Sequence, residues 1–341
     1  MIEIPDLSGA PNLKQLILQR CTRLYKIHAS LGDLKRLIRL DLNGCKCLES
    51  LPHKISLEAL EFFNLSGCSK LKKFPDIVEN MLRLSKLCLS ETAIKDCKTV
   101  SSVPIAICSL MSLKTLNLSG CSKLDKLPEN LGKIESLEEL DLSGTAITSL
   151  PSSIIHLKNL KILSLCRCVG LSSIKLTRFP LMQPKRSLDP MGTLEHSLIG
   201  LCSLTKLDLS YCNVQTIPNV LGSLSSLKYL NLRGNNFVCL PKSIVQLSNL
   251  RCLYTGGCTH LRMLPKLPLN IEYIDATKCT SLETLSLRPE YSFRPSFRLL
   301  NCDKLIKNQG YGNLVSTMLR RYIINTQVCL SLSPSLPLSH M

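Results

Sequence analysis

The sequence predicts an α/β solenoid whose parallel β-strands line a concave face and whose convex side is built from short helical or irregular segments. Three observations carry this. Leucines recur in one fixed pattern at nearly constant intervals along most of the chain. A second, proline-led pattern fills the gap between many successive copies. The core has to be aliphatic, because hydrophobic residues make up 45% of the 341 residues while aromatics supply 4% and tryptophan none. Stacked small units bury such a composition more readily than one large globular centre does.

The leading pattern is L-x-x-L-x-L-x-x-C/T/N, with occasional substitutions. It begins at Leu13, Leu37, Leu60, Leu84, Leu113, Leu137, Leu160, Leu204, Leu227, Leu250 and Ile271, which makes eleven copies. Neighbouring copies start 21–29 residues apart, except Leu160 and Leu204, which are 44 apart. A period of about 20–29 residues is that of leucine-rich repeats. The expected architecture is therefore a leucine-rich-repeat horseshoe over residues 1–285.

Each copy can be read as local physics. In Leu137–Thr145, Leu140 and Leu142 alternate with Glu139, Asp141 and Ser143. Period-2 alternation predicts a short strand with leucines inward and polar residues outward. Each buried leucine contributes roughly 1.5–3 kcal/mol, and no single coil can hide its leucines alone. The second half reads apolar-Pro-x-x-Ile/Leu-x-x-Leu, as at Leu150–Leu157, with similar segments after Pro52, Pro104, Pro128, Pro218 and Pro241. Proline cannot donate to a strand ladder, so these segments belong on the outer arc, where Ile and Leu at three-residue steps suit a short helical turn. Ile4–Leu7 reads as the convex half of a coil whose strand is missing.

The position after each strand holds Cys21, Cys45, Cys68, Thr92, Cys121, Thr145, Cys168, Cys212, Asn235, Cys258 and Cys279. This accounts for much of the total of 18 cysteines. A residue tucked under the turn can satisfy backbone groups that the turn leaves unpaired. The thiols are read as buried and inert, the alternative being reactive or metal-binding ones. A ladder spaces its members along an axis, whereas a metal needs convergent ligands, and no C-x-x-C pair occurs. No metal or cofactor is expected.

Net charge is +17. The basic residues are scattered, densest at Lys70–Lys73, Pro184–Arg186 and Arg320–Arg321, without the interleaved aromatics of a single-strand-binding groove. This reads as a solvated surface suited to acidic partners rather than a nucleic-acid or lipid site. Residues 1–6 show no charged stretch followed by an apolar one, and no apolar run reaches membrane-spanning length. The expectation is a soluble protein in a reducing compartment, with no membrane insertion.

Two interruptions are expected to bulge from the solenoid, a short one at Asp96–Ser102 and a larger one at 175–197 with Pro180, Pro184, Pro190 and Gly192. They read as tolerated insertions or as docking loops. Strand parity places Arg39, Asp41 and Asn43, then Phe62, Asn64 and Ser66, on the concave face. Its central column runs Asp41, Asn64, Cys88, Asn117, Asp141, Ser164, Asp208 and Asn231. Those short polar groups can simply hydrogen-bond across the sheet. The late repeats differ: Tyr229, Arg233, Tyr254 and Tyr273 fall at outward positions with Lys206 and Arg251 nearby. Tyr and Arg dominate protein-protein hot spots, so these six residues form the candidate protein-binding site, with packing alone as the alternative.

Leu116–Leu124, reading Leu-Asn-Leu-Ser-Gly-Cys-Ser-Lys-Leu, and Leu140–Ile147, reading Leu-Asp-Leu-Ser-Gly-Thr-Ala-Ile, resemble the repeats of plant intracellular disease resistance proteins. The resemblance is to the class with a Toll/interleukin-1-receptor domain and a nucleotide-binding domain, and it covers residues 1–285. Phe297–Leu305 resembles the start of the jelly-roll, immunoglobulin-like domain that follows the repeats in that class, so 286–341 is expected to be a truncated start of it. The resemblance implies a cytoplasmic or nuclear protein whose partner is a pathogen effector or the receptor's own nucleotide-binding domain, held in an autoinhibitory contact. It also implies an NADase activity in a Toll-like domain that this sequence lacks. No G-x-x-x-x-G-K-[ST] phosphate loop occurs either. The chain is expected to be a fragment, a truncated product or a degenerate relative.

Three function classes follow. The first is a recognition module of an innate immune receptor. The second is an extracellular repeat receptor, raised by the sequons at Asn64 and Asn117, with a general intracellular scaffold beside it. The third is an enzyme, disfavoured because the six histidines, at 28, 53, 156, 196, 260 and 340, are dispersed and suggest no nucleophile–base pair.

Overall fold

The computed structural model describes residues 2–71, 74–77, 81–93, 105–172, 197–286 and 295–309. The expected bulges at 96–102 and 175–197, apart from Ser197, and the basic runs at 184–186 and 320–321, lie outside these residues. The chain forms two compact units, residues 1–207 and 208–341. Both are leucine-rich-repeat coils.

In the first unit, strands Gln15–Ile17, Arg39–Asp41, Phe62–Asn64, Lys86–Cys88, Thr115–Asn117, Glu139–Asp141 and Ile162–Ser164 pair in parallel, each with the next. The register aligns Leu16, Leu40, Phe63, Leu87, Leu116, Leu140 and Leu163 as one inward row. From Leu40 onward that row is fully buried. In the second unit, strands Tyr229–Asn231, Cys252–Tyr254, Tyr273–Asp275 and Ser296–Arg298 repeat the arrangement, with Leu230, Leu253, Ile274 and Phe297 inward. The alternation predicted from sequence is the one observed.

The Ser296–Arg298 strand lies beyond residue 285, in the stretch assigned from sequence to a following domain. Here it pairs as the next strand of the sheet. Phe297 and Leu299 are buried, Asn301 turns with φ 59° and the Cys302 thiol donates to the Ala276 carbonyl at 3.0 Å. The features of a coil thus continue to Cys302, and a helix, Asp303–Gln309, follows.

The convex side answers the proline-led pattern. Short 3-10 helices occupy Ile105–Ser109, Leu131–Lys133, Ser152–His156, Asn219–Ser223 and Lys242–Gln246. Pro151, Pro218 and Pro241 sit at the caps with φ between −64° and −70°, the angle that their rings impose. The segment after Pro52 is an exception to the expected helical turn. There Lys54–Ile55 forms a short parallel strand with Asp76–Ile77. Ile4, too, pairs as convex strand, opposite Ile27.

Two devices join coil to coil where the strands end. The first is a left-handed residue just before the ladder position. Glycine fills it at 44, 67, 120, 144, 234 and 257, with φ between +64° and +76°. Arg20, Glu91, Arg167, Tyr211, Lys278 and Asn301 fill it in the other coils, with φ between +56° and +61°. The turn directs the amide at the next coil: Gly44 N donates to Ser66 O and Gly120 N to Ser143 O, both at 2.7 Å. The left-handed basin costs a residue with a Cβ about 1–2 kcal/mol, which explains the preference for glycine.

The second device is the ladder side chain. Cys45 donates to Leu18 O at 3.1 Å, Cys68 to Leu42 O at 3.3 Å, Cys168 to Leu142 O at 3.0 Å and Cys258 to Leu232 O at 3.1 Å. Each thiol reaches back one coil. Threonine bonds within its own coil instead, Thr92 to Leu89 O at 2.8 Å and Thr145 to Leu142 O at 2.7 Å. The following cysteine then shares the same carbonyl. Asn235 serves both coils at once, donating to Leu209 O and Leu232 O at 2.8 Å.

Burial raises the thiol pKa along the ladder, to about 11 at Cys45 and Cys279 and about 12 at Cys68, Cys258 and Cys302. In the unfolded chain these thiols ionise near 9 while the folded ones keep their protons. Their contribution is therefore complete below pH 9 and is lost as pH rises towards 11–12, by up to about 1.4 kcal/mol per pH unit for each thiol. Urea unfolding should show a midpoint that falls steeply above pH 9. A Cys68→Thr/Cys258→Thr variant should fall less steeply, and equal slopes would contradict the buried, protonated ladder.

Candidate binding surface

With leucines inward, the first, third and fifth positions around each strand face outward. The third position, the central polar column, turns out to be structural. Asn64, Asn117, Asp141, Asp208, Asn231 and Asp275 each accept at Oδ1 from the amide two residues later, at 2.8–3.2 Å. Such Asx turns carry the backbone from strand into the left-handed residue. Some members also bond across coils, Asn64 Nδ2 to Asp41 Oδ1 at 3.1 Å and Asn231 Nδ2 to Asp208 Oδ2 at 2.9 Å. Asn64 is buried with its amide occupied, so that sequon offers no accessible nitrogen for a glycan.

In the second unit the outward positions carry larger groups. Tyr254 and Tyr273 stand on adjacent strands with ring centroids 5.5 Å apart at 51°. The Arg233 guanidinium lies 4.8 Å from the Tyr254 ring centroid. It continues past that ring to Asp275, two coils on, with Nε 3.1 Å from Oδ2 and Nη2 closing a second contact on the same oxygen. Gly256, between them, leaves the path clear, since a Cβ there would stand 3.3 Å from Asp275 Oδ2. Burial works to raise the Asp275 pKa. The Thr277 hydroxyl and amide and the Arg233 charge outweigh it and hold the carboxyl below its ordinary value. Burial likewise opposes the Arg233 charge, and Asp275 overcomes it, raising its pKa.

Three of the six nominated residues, Arg233, Tyr254 and Tyr273, therefore form one contact chain. Arg251 pairs with Glu272 at the flank. Tyr229 shares the row of Tyr273, but Cys252 is the Cα partner of both, and its ring is 40% exposed. Lys206 is exposed on a strand of the first unit, its amide donating to Lys161 O at 3.0 Å. Sequence reasoning missed Asp275, which reads simply as one more member of the polar column. It also missed a related cluster in the first unit. There the buried Asp41 accepts from Arg39 at 2.9 Å and Gln19 at 2.8 Å, and Arg39 lies 4.0 Å over the Phe62 ring. Among the described residues no group of three His, Cys, Asp or Glu could hold a metal ion, and no helix is long and apolar enough to cross a membrane.

Comparison with known proteins agrees with this architecture. A leucine-rich repeat region family matches residues 89–184 and a leucine rich repeat family matches 194–261. TMV resistance protein N of Nicotiana glutinosa is 37% identical over 294 residues, covering 80% of this chain and 24% of that protein. Disease resistance-like protein DSC1 of Arabidopsis thaliana is 39% identical over 301 residues, covering 82% of this chain and 23% of that protein. The chain thus spans about a quarter of the length of these relatives. Among solved structures, the functional domain of InlJ from Listeria monocytogenes, described as including a cysteine ladder, matches with a TM-score of 0.51. Its identity is 19%, over 87% of this chain and 60% of that one, a likeness of fold.

The Arg233–Asp275 pair should support the second unit as well as shape its face. Asp275→Asn keeps the Thr277 contacts possible but removes the charge, and should cost about 1–3 kcal/mol. Because the folded pKa is depressed, the stability due to Asp275 is present above the ordinary carboxylate pKa of 3.8 and disappears as pH falls through the folded value. Unfolding measured from pH 7 to pH 2 should therefore bring wild type and Asp275→Asn together at the acid end. A constant gap between them would contradict the charged pair.

Proposed function

This chain is a leucine-rich-repeat protein that matches plant disease resistance proteins over most of its length, and on that premise we propose that it is the protein-recognition module of a plant innate immune receptor. It works by binding, without catalysis or cofactor, in the cytoplasm or nucleus. The observation that carries this reading is the aromatic–guanidinium cluster of Tyr254, Tyr273 and Arg233 on the outward face of the second unit's strands. The partner is a pathogen effector or the receptor's own nucleotide-binding domain. A partner that favours one state of the receptor would shift its population. An extracellular role is the less favoured reading: Asn64 is buried with its side-chain amide engaged, and the second sequon, Asn117, is a half-buried strand residue whose Oδ1 is held by Ser119.

The test uses a Tyr254→Ser/Tyr273→Ser double variant, which leaves Arg233 and Asp275 in place. Its affinity for the recombinant nucleotide-binding domain of a matching resistance protein, or for an effector known to trigger that protein, is compared with wild type by calorimetry. A folded variant should bind at least about 10-fold more weakly, since buried tyrosine anchors commonly contribute more than 1.4 kcal/mol. Wild-type affinity in that variant would remove this surface from the site of recognition.

A further inference from the structure

The second unit carries an aromatic that the cluster above does not include. Tyr211 occupies the left-handed turn position with φ 57° and is 51% exposed. Its ring lies against Gly234 of the next coil, so closely that a Cβ built there would fall 2.3 Å from Tyr211 Cδ1. Gly234 directly follows Arg233. The four side chains therefore fall on one line. Tyr273 holds the first outward position of its coil, Tyr254 the second of the coil before, Arg233 the third of the coil before that, and Tyr211 the turn of the coil before that. The first two steps move back one coil and forward two residues, and the third moves back one coil and forward one. Contact follows the same line, Tyr273 to Tyr254 at 5.5 Å, Arg233 over Tyr254 at 4.8 Å and Tyr211 on the glycine beside Arg233.

We propose that this diagonal is a single binding ribbon for an extended peptide segment of a partner, one that presents apolar or aromatic side chains. The proposal rests on reading the second unit's sheet face as a protein-binding surface and adds the form and chemistry of what binds. Length supports it. With strands about 4.8 Å apart and about 3.4 Å per residue along each, the three steps span about 22 Å, the length of roughly six or seven extended residues. Width supports it as well. The ribbon is one side chain wide, flanked by small or polar groups such as Cys252, Ser296, Asn231 and Thr277, and an extended peptide offers one file of side chains on each face.

Charge decides the chemistry. The whole chain, at +17, suggests an acidic partner. On the ribbon the one cation, Arg233, is already bound to Asp275, and at its flank Arg251 is bound to Glu272. Arg298, exposed beside Asp275 in the register, and Lys278, exposed at the turn of the same coil as Asp275, are cations that could draw an acid, so the test has to separate the two chemistries.

Tyr211→Gly removes one end of the ribbon and leaves the turn intact, because six other coils carry glycine at that position. Full-length wild type and this variant are immobilised and panned with a phage-displayed octapeptide library at 50 and 500 mM NaCl. The expected result is enrichment of peptides with aromatic or aliphatic residues at alternate positions. Capture should change less than about 3-fold between the two salts and fall about 10-fold on Tyr211→Gly. Absence of enrichment, enrichment of Asp- or Glu-rich peptides that salt elutes, or equal capture by Tyr211→Gly would each overturn the proposal. If Tyr254→Ser abolishes capture while Tyr211→Gly does not, the recognition surface stands and the diagonal falls.

Discussion

Every coil of this protein must hide its strand leucines and then turn sharply without leaving a buried carbonyl unpaired. The second requirement is the harder one. The carbonyls of Leu18, Leu42, Leu89, Leu142, Leu232 and Ala276 face the interior just where the strand ladder ends, and a side-chain donor from the ladder position reaches each of them. Four of these oxygens, those of Leu18, Leu42, Leu142 and Ala276, also accept the backbone amide of their own turn, so there the side-chain donor fills the second lone pair, a net contribution of about 0.5–1.5 kcal/mol each. Cysteine suits the post because it is small, tolerates burial and still donates. Threonine and asparagine succeed by bonding within their own coil or to two coils at once. The left-handed residue before the ladder is the geometric condition for all of this.

This arrangement explains what the outer face can and cannot do. The central Asp/Asn column is largely consumed by Asx turns, so its conspicuous regularity belongs to folding. The outward positions that the Asx turns do not use are free to vary between coils. The second unit has used them to place two tyrosines and an arginine. The arginine is held by a carboxylate drawn from the structural column, so Asp275 both closes its turn and anchors Arg233. Stacking and pairing restrict the rotamers of long side chains in the free protein, which lowers the entropy cost of any binding there.

Much of this was legible in the sequence because leucine periodicity and ladder spacing are one-dimensional signals. Leu140, Cys121 and Pro151 could be placed from their neighbours alone. The pairing of Arg233 with Asp275 could not, since the two are 42 residues apart and meet only through the stacking of three coils. Tyr211 escaped because its position normally holds glycine and reads as turn. The coil ending at Cys302 was obscured for a different reason. Phe297 replaces the usual leucine and Asn301 the usual glycine, although both do the same physical work, filling the core and adopting the left-handed turn. In the segment after Pro52 the helical pattern gave way to Lys54–Ile55 pairing with its neighbour, a tertiary choice that three-residue spacing does not reveal.

The most direct test of the stacked-coil account is hydrogen exchange on Leu140→Asp. Leu140 is fully buried between Leu116 and Leu163, and a carboxylate there would have no partner. The account predicts lost amide protection spreading through the strands at 115–117, 139–141 and 162–164. Native protection across those strands in the Asp variant would contradict it.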